Sequence, residues 1–178
     1  MSPRPATTTF KRLTACLLGE GRVREYLEFR LREAGISVVE ECISPDLLVI
    51  AGRLDEEGAT RVRNIACKGG RPHVELIAVC GTEAILTLAN TGLLCGVVVA
   101  APPNYWHLIE RTGAAPVPRI LHSDCRVITC HDTRYTHVFM RKLLEEVECI
   151  TTGWCLSGFT RPCFNCGAKC LESKGRAD

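Results

Sequence analysis

The chain has 178 residues, enough for one domain with a substantial core and too few for two of ordinary size. Apolar residues make up 46% and charged residues 24%, and 22 basic against 20 acidic side chains leave a net charge of only +2. That balance excludes a disordered chain and the broad basic field of a dedicated nucleic-acid binder, and no apolar run is long enough to span a bilayer.

Residues 1–11 are polar, carry Pro3 and Pro5, and read as a flexible lead-in without the hydrophobic stretch of an export signal. The expected setting is therefore cytoplasmic. Residues 12–148 then read as an α/β domain. Arg12–Leu18 is a short strand ending at Gly19-Glu20-Gly21. Val23 to Ala34 is a helix with Val23, Tyr26, Leu27, Leu31 and Ala34 on one face, stopped by Gly35. Ile36–Cys42 is a second strand.

After the turn Ser44-Pro45-Asp46, the run Leu47–Ala51 is apolar throughout, as in a parallel strand buried on both faces. Asp55 and Glu56 start a helix through Ala66, which Gly69-Gly70-Arg71-Pro72 breaks. Val74–Val79 is another buried strand, and Cys80-Gly81-Thr82 turns into a helix from Glu83 to Ala89. Gly96–Ala101 is a further strand, and Asn104 caps a short helix through Trp106 and Ile109. Ile120–Cys130 holds one or two strands, and His137–Val147 is a helix.

Strands alternating with crossover helices imply a mostly parallel sheet flanked by helices. Ligands of such sheets lie beyond the carboxyl ends of the strands. Those ends are Gly19–Arg22, Gly52–Asp55, Cys80–Glu83 and Ala101–Asn104.

Twelve cysteines stand out. In a reducing compartment, clustered cysteines point to metal binding or redox chemistry, the cytosol of hyperthermophiles being the exception that holds disulfides. Residues 149–170 form a cysteine-rich segment, followed by a polar tail over 171–178. Cys163 and Cys166 have the Cys-x2-Cys spacing whose sulfurs converge on one metal. Cys170 adds a third thiolate, and Cys155, or alternatively Cys149, a fourth. Four thiolates suit an iron–sulfur cluster of the [4Fe-4S] type, or alternatively Zn2+. Cys125 and Cys130-His131, with His137, form a second and sparser group. Cys16, Cys42, Cys67 and Cys95 read as core thiols. Cys80 ends a buried strand before a helix, where a thiol serves as ligand, nucleophile or packing residue.

One stretch resembles a known family. Asp46-Leu-Leu-Val-Ile-Ala-Gly-Arg-Leu54, the helix through Arg61-Val-Arg-Asn-Ile65, Leu76-Ile-Ala-Val-Cys-Gly81 and Val97-Val-Val-Ala-Ala-Pro-Pro103 resemble the iron–sulfur small subunit of respiratory complex I and nickel–iron hydrogenases. The resemblance covers about residues 45–103. It implies a flavodoxin-like fold and a redox association, with Cys80 at a ligand position. The family's paired cysteines are missing from Gly19–Arg22, and Ala101 stands where its last ligand cysteine would be.

The function expected from these readings is iron–sulfur cluster binding, in electron transfer or as an accessory factor in assembling a redox metalloenzyme, with a protein partner. The alternative is a zinc-stabilised binding or regulatory protein without catalytic activity. A third class is a thiol-dependent enzyme that uses Cys80.

Overall fold

The computed structural model describes residues 12–40, 42–124, 126–152 and residue 166. In chain order these form β1 (Thr14–Gly19), α1 (Arg22–Glu33), β2 (Ser37–Val39), β3 (Leu47–Ala51), α2 (Glu56–Ala66), β4 (Cys67–Lys68), β5 (Arg71–Pro72), β6 (Leu76–Cys80) and α3 (Thr82–Ala89). There follow β7 (Val98–Ala100), α4 (Trp106–Glu110), β8 (Ala115–Val117), β9 (Leu121–Asp124), β10 (Val127–Cys130) and α5 (Thr136–Thr152).

The main sheet has the order β2-β1-β3-β6-β10-β9. Its first five strands are parallel, and β9 runs antiparallel to β10. The chain is thus α/β with a mostly parallel sheet between helices, and the flavodoxin-like expectation holds.

β3 and β6 make this architecture necessary. Every residue of Leu47–Ala51 and of Leu76–Cys80 is buried, so neither face of the sheet can meet water. Side chains alternate between the faces of a strand. On one face, Leu48, Ile50, Ile77 and Val79 pack with Val62 and Ile65 of α2 and with Ile85 and Leu88 of α3. On the other, Leu47, Val49, Leu76 and Ala78 pack with Leu27 and Leu31 of α1 and with Phe139, Met140 and Leu143 of α5. Each large side chain removed from such a core costs about 2–5 kcal/mol.

The helices begin where local chemistry allows. The Asp55 carboxylate accepts the Gly58 N–H at 2.7 Å, capping α2. On α1, Glu28 pairs with both Arg24 and Arg32 one turn away on either side. α5 starts at Thr136 and runs to Thr152, past the expected end at Val147.

The strand expected at Gly96–Ala101 does not join the main sheet. β7 pairs with β8 in a separate parallel pair. Its outward donors meet side chains instead of a ladder: Val98 N–H donates to the Asp124 carboxylate at 2.6 Å, and Ala100 N–H to the Thr129 hydroxyl at 2.8 Å. β10 takes the place beside β6. The region expected as one or two strands is a hairpin of two.

The cysteines read as core thiols are crosslinked. Cys16 is bonded to Cys42 and Cys67 to Cys166, across 26 and 99 residues of sequence. Cys95 is also in a disulfide. Their reading as packing thiols is corrected, because residues far apart in sequence meet only once the sheet and its covering helices are assembled. Among the described residues, no helix is long and apolar enough to cross a membrane.

Loop closure makes these crosslinks strong constraints on the unfolded chain, about 3 kcal/mol for the shorter and 5 kcal/mol for the longer in the chain-entropy treatment. Peptide mapping after alkylation in denaturant without reductant should leave Cys16, Cys42, Cys67 and Cys166 unmodified. Cys67→Ser should lower Tm by roughly 10 °C, at about 2–4 °C per kcal/mol for a chain of this size. Full alkylation of all four sulfurs without reductant would contradict the pairing.

Candidate functional site

The sheet ends in a lateral row. Strand register places Gly19 beside Ala51, Ala51 beside Cys80, Cys80 beside Cys130, and Cys130 beside Leu121. In the parallel part of the sheet these are carboxyl-terminal residues, at the edge where ligands of such folds sit. The row brings together two thiols that lie 50 positions apart in sequence.

Close backbone packing holds this edge. A Cβ on Gly19 would lie 1.9 Å from the Ala51 carbonyl oxygen, so only glycine fits there. Gly52 N–H donates to the Cys80 carbonyl at 3.0 Å, and Gly81 N–H donates to the Cys130 carbonyl at 2.8 Å. Gly81 has φ +124°, a backbone that side-chain-bearing residues rarely adopt, and it turns the chain from β6 into α3. The Thr82 hydroxyl donates to the His131 carbonyl at 2.8 Å, joining the loop after β6 to the loop after β10.

Cys80 and Cys130 are both fully buried and keep their thiols. They share the sheet face covered by α1 and α5. Each of the two neighbouring thiols shifts the ionisation of the other. Cys130 Sγ lies 3.3 Å from the Asp132 carbonyl oxygen, and Cys80 Sγ 3.9 Å from the Thr136 hydroxyl oxygen. The neighbouring Cys80 thiol holds the Cys130 thiol below its ordinary range, against the opposing effect of burial. Cys130, with burial, pushes the Cys80 thiol far up. The two shifts run in opposite directions, Cys130 down and Cys80 up.

Above the thiols lies a shallow cleft of about 300 Å³ lined by Arg22, Val23, Tyr26, Arg134, Thr136 and His137. Thr136 connects the two layers, since it lines the cleft and its hydroxyl faces the Cys80 sulfur. The turn that presents Thr136 is fixed by Asp132. Its carboxylate accepts the Arg134 N–H at 3.0 Å and grips the Arg134 guanidinium at 2.7 Å. This pairing holds the Asp132 carboxyl below the usual carboxylate range.

The residues expected to bind a metal are not brought together among the described residues. Cys166 is joined to Cys67, which occupies its sulfur. Cys149 lies half-buried on α5. Cys155, Cys163 and Cys170 lie outside the described residues, as does Cys125. Among the described residues, no group of three or more His, Cys, Asp or Glu side chains is placed to hold a metal ion. His137 lines the cleft rather than meeting Cys130 at a metal site. The pairing of Cys130 with Cys80 was not anticipated. Its only trace in the sequence is that Leu76-Ile-Ala-Val-Cys80 and Val127-Ile-Thr-Cys130 both end an apolar strand in cysteine.

No protein-family model matches the chain, and no curated protein matches it in sequence. Solved structures match it in fold. A cysteine-to-alanine variant of a DJ-1 superfamily protein from Salmonella typhimurium is 15% identical over 78% of this chain and 91% of that one, with a TM-score of 0.57. DJ-1 from Schizosaccharomyces pombe is 16% identical over 76% and 91%, with a TM-score of 0.56. A ThiJ/PfpI family protein from Pseudomonas syringae is 12% identical over 97% and 90%, with a TM-score of 0.61. At these identities the likeness is one of fold.

These neighbours correct the resemblance to the iron–sulfur small subunit of complex I and hydrogenases. They also overturn the iron–sulfur function expected from it, together with the zinc alternative. The shared stretch, Asp46–Leu54 and Leu76–Gly81, is β3 and β6 with their following turns. A buried parallel strand running into a glycine turn recurs in any flavodoxin-like sheet, so the similarity followed the fold and not the cluster. The one matching ligand position, Cys80, faces Cys130 instead.

Replacing Gly81 by alanine tests the geometry of this edge. The new Cβ would sit 3.0 Å from the Gly52 carbonyl oxygen at an unfavourable φ. The expected cost is about 1–3 kcal/mol, read as a fall in Tm. An unchanged Tm would show that the turn tolerates a side chain.

Proposed function

We propose that the chain is a thiol-dependent protein acting on a small electrophilic molecule, with Cys130 as the attacking sulfur and Cys80 as the thiol that activates it. The supporting observation is the in-register pair of buried thiols on the last rung of a parallel sheet, in a chain whose other described cysteines include five in disulfides. A thiolate, not a thiol, is the nucleophile. The neighbouring Cys80 thiol favours the ionised form of Cys130. When protonated, Cys130 donates to the Asp132 carbonyl.

Burial sets the size of what can react. Both cysteines are fully buried and neither lines the cleft, so a reagent entering there must be small enough to pass Thr136 or must displace the turn at residues 132–136. The exposed Arg22 at the rim favours a neutral or anionic molecule over a cation.

Disulfides also bear on where the protein works. They persist in oxidising compartments and in the cytosol of hyperthermophiles. A cytoplasmic location therefore fits a cell whose interior tolerates such bonds.

The test is the rate of alkylation by iodoacetamide against pH, with the modified peptide identified by mass spectrometry. The rate follows the thiolate fraction, so it rises with pH. Because Cys130 is held low, its midpoint should fall below the roughly 8.5 of an ordinary thiol. Cys80→Ala removes the largest cause of that lowering and should move the midpoint upward. A Cys130 that resists alkylation in the folded protein, or that titrates like a free thiol, would overturn the assignment.

A further inference from the structure

We propose that the cleft over Thr136 binds a small phosphate-bearing molecule, with the phosphate group held between Arg22, Arg134 and His137. Binding there needs no reaction at Cys130, so this site stands or falls apart from the thiol chemistry.

Two cavities meet along the seam of α1 and α5, and His137 lines both. Their linings differ in charge. The cleft over Thr136 is lined by the guanidinium groups of Arg22 and Arg134, the imidazole of His137 and the walls of Val23 and Tyr26, with no carboxylate among them. The carboxylates nearest in sequence, Glu20, Glu25 and Asp132, do not line it. The second cavity, of about 390 Å³, is lined by Arg30 and Arg141 but also by Glu145 and Glu148. Its charges balance, so only the first end of the seam draws an anion. The whole chain carries a net charge of just +2, so the attraction is local to this cleft and not a property of the general surface.

The donors are held in place and still have hydrogens to give. Arg134 Nε and Nη2 bind the Asp132 carboxylate at 3.1 and 2.7 Å. A guanidinium carries five N–H donors in a rigid plane, so this grip fixes the group and leaves Nη1 for a ligand. Arg22 is exposed and has no carboxylate partner among the described residues, whereas Arg24, Arg30 and Arg32 on the same helix are each paired with a glutamate. Tyr26 is steadied by Arg30, whose Nη1 donates to its hydroxyl at 3.1 Å and whose guanidinium carbon lies 5.9 Å from its ring centre. His137 offers an N–H in either protonation state. Three donor groups round one cleft match the three terminal oxygens of a phosphate monoester, where a carboxylate has only two. The Thr136 hydroxyl is not one of these donors, because it donates to the Thr133 carbonyl.

The experiment uses the full chain with its disulfides intact and inorganic phosphate as the probe. Binding is followed by NMR, through backbone amides and arginine Nε–H signals, at constant ionic strength. Phosphate should give saturable shifts that centre on Arg22, Arg134 and His137, and acetate should bind more weakly. Arg22→Gln and Arg134→Gln should each weaken phosphate binding roughly tenfold, the loss of one charge-assisted hydrogen bond. Arg61→Gln removes the same charge from the exposed side of α2 and should leave the affinity unchanged. The titration of the unaltered chain needs no variant to fold, so it decides the matter even where a substitution unfolds the protein. Shifts that do not saturate, an Arg61→Gln effect as large as that of Arg22→Gln, or acetate bound as tightly as phosphate would each overturn the site. Saturable phosphate binding beside an unreactive Cys130 would sink the thiol reading and leave this one standing, and the reverse result would do the opposite.

Discussion

Two strands with no solvent-facing side chain dictate the rest of this structure. β3 and β6 are apolar at every position, so the sheet that contains them must be covered twice. α2 and α3 supply one cover, and α1 and α5 the other. A parallel sheet needs such crossover elements in any case, since consecutive strands running the same way cannot be joined by tight turns. The burial requirement and the connection requirement are met by the same helices. The carboxyl-terminal edge of the sheet is left as the place where loops gather and chemistry can be built.

That edge is organised by how closely backbones approach. Gly19 lies against the Ala51 carbonyl, and Gly81 against that of Gly52. Small residues on the last rung leave the loops pressed together, and hydrogen bonds from Gly52 and Gly81 lock each strand end to the next. The thiols of Cys80 and Cys130 inherit their mutual geometry from this register and not from a flexible loop. Paired strands hold two buried thiols in a fixed relation to each other, where an exposed loop would not.

Much of the scaffold was legible from sequence because it follows local rules. The run Leu47–Ala51 is a strand with the boundaries expected, and the helix opened by Asp55 ends at Ala66 as the glycines after it require. What was not legible depends on lateral position. Val98–Ala100 has the composition of a main-sheet strand, yet side chains of Asp124 and Thr129 take its donors and β10 occupies the place beside β6. The site was obscured for the same reason. Nothing local tells Cys80 that its neighbour is Cys130, or Cys67 that its partner is Cys166. The Cys-x2-Cys spacing of Cys163 and Cys166 is a local signal, and it pointed to a shared metal where the fold instead sends Cys166 to a crosslink. The family resemblance erred in a related way, by reading the common grammar of buried parallel strands as kinship.

The Cys67–Cys166 bond closes a covalent ring, and both reduced sulfurs of the sheet lie on the arc that it encloses. An unfolded chain would hold reactive thiolates and exchangeable crosslinks on one tether, free to shuffle into mispaired isomers. The native sheet prevents this by sequestering the two thiols beneath α1 and α5, away from every bridge described. Burial at the end of β6 and β10 thus also insulates the covalent topology of the molecule from its own free thiols.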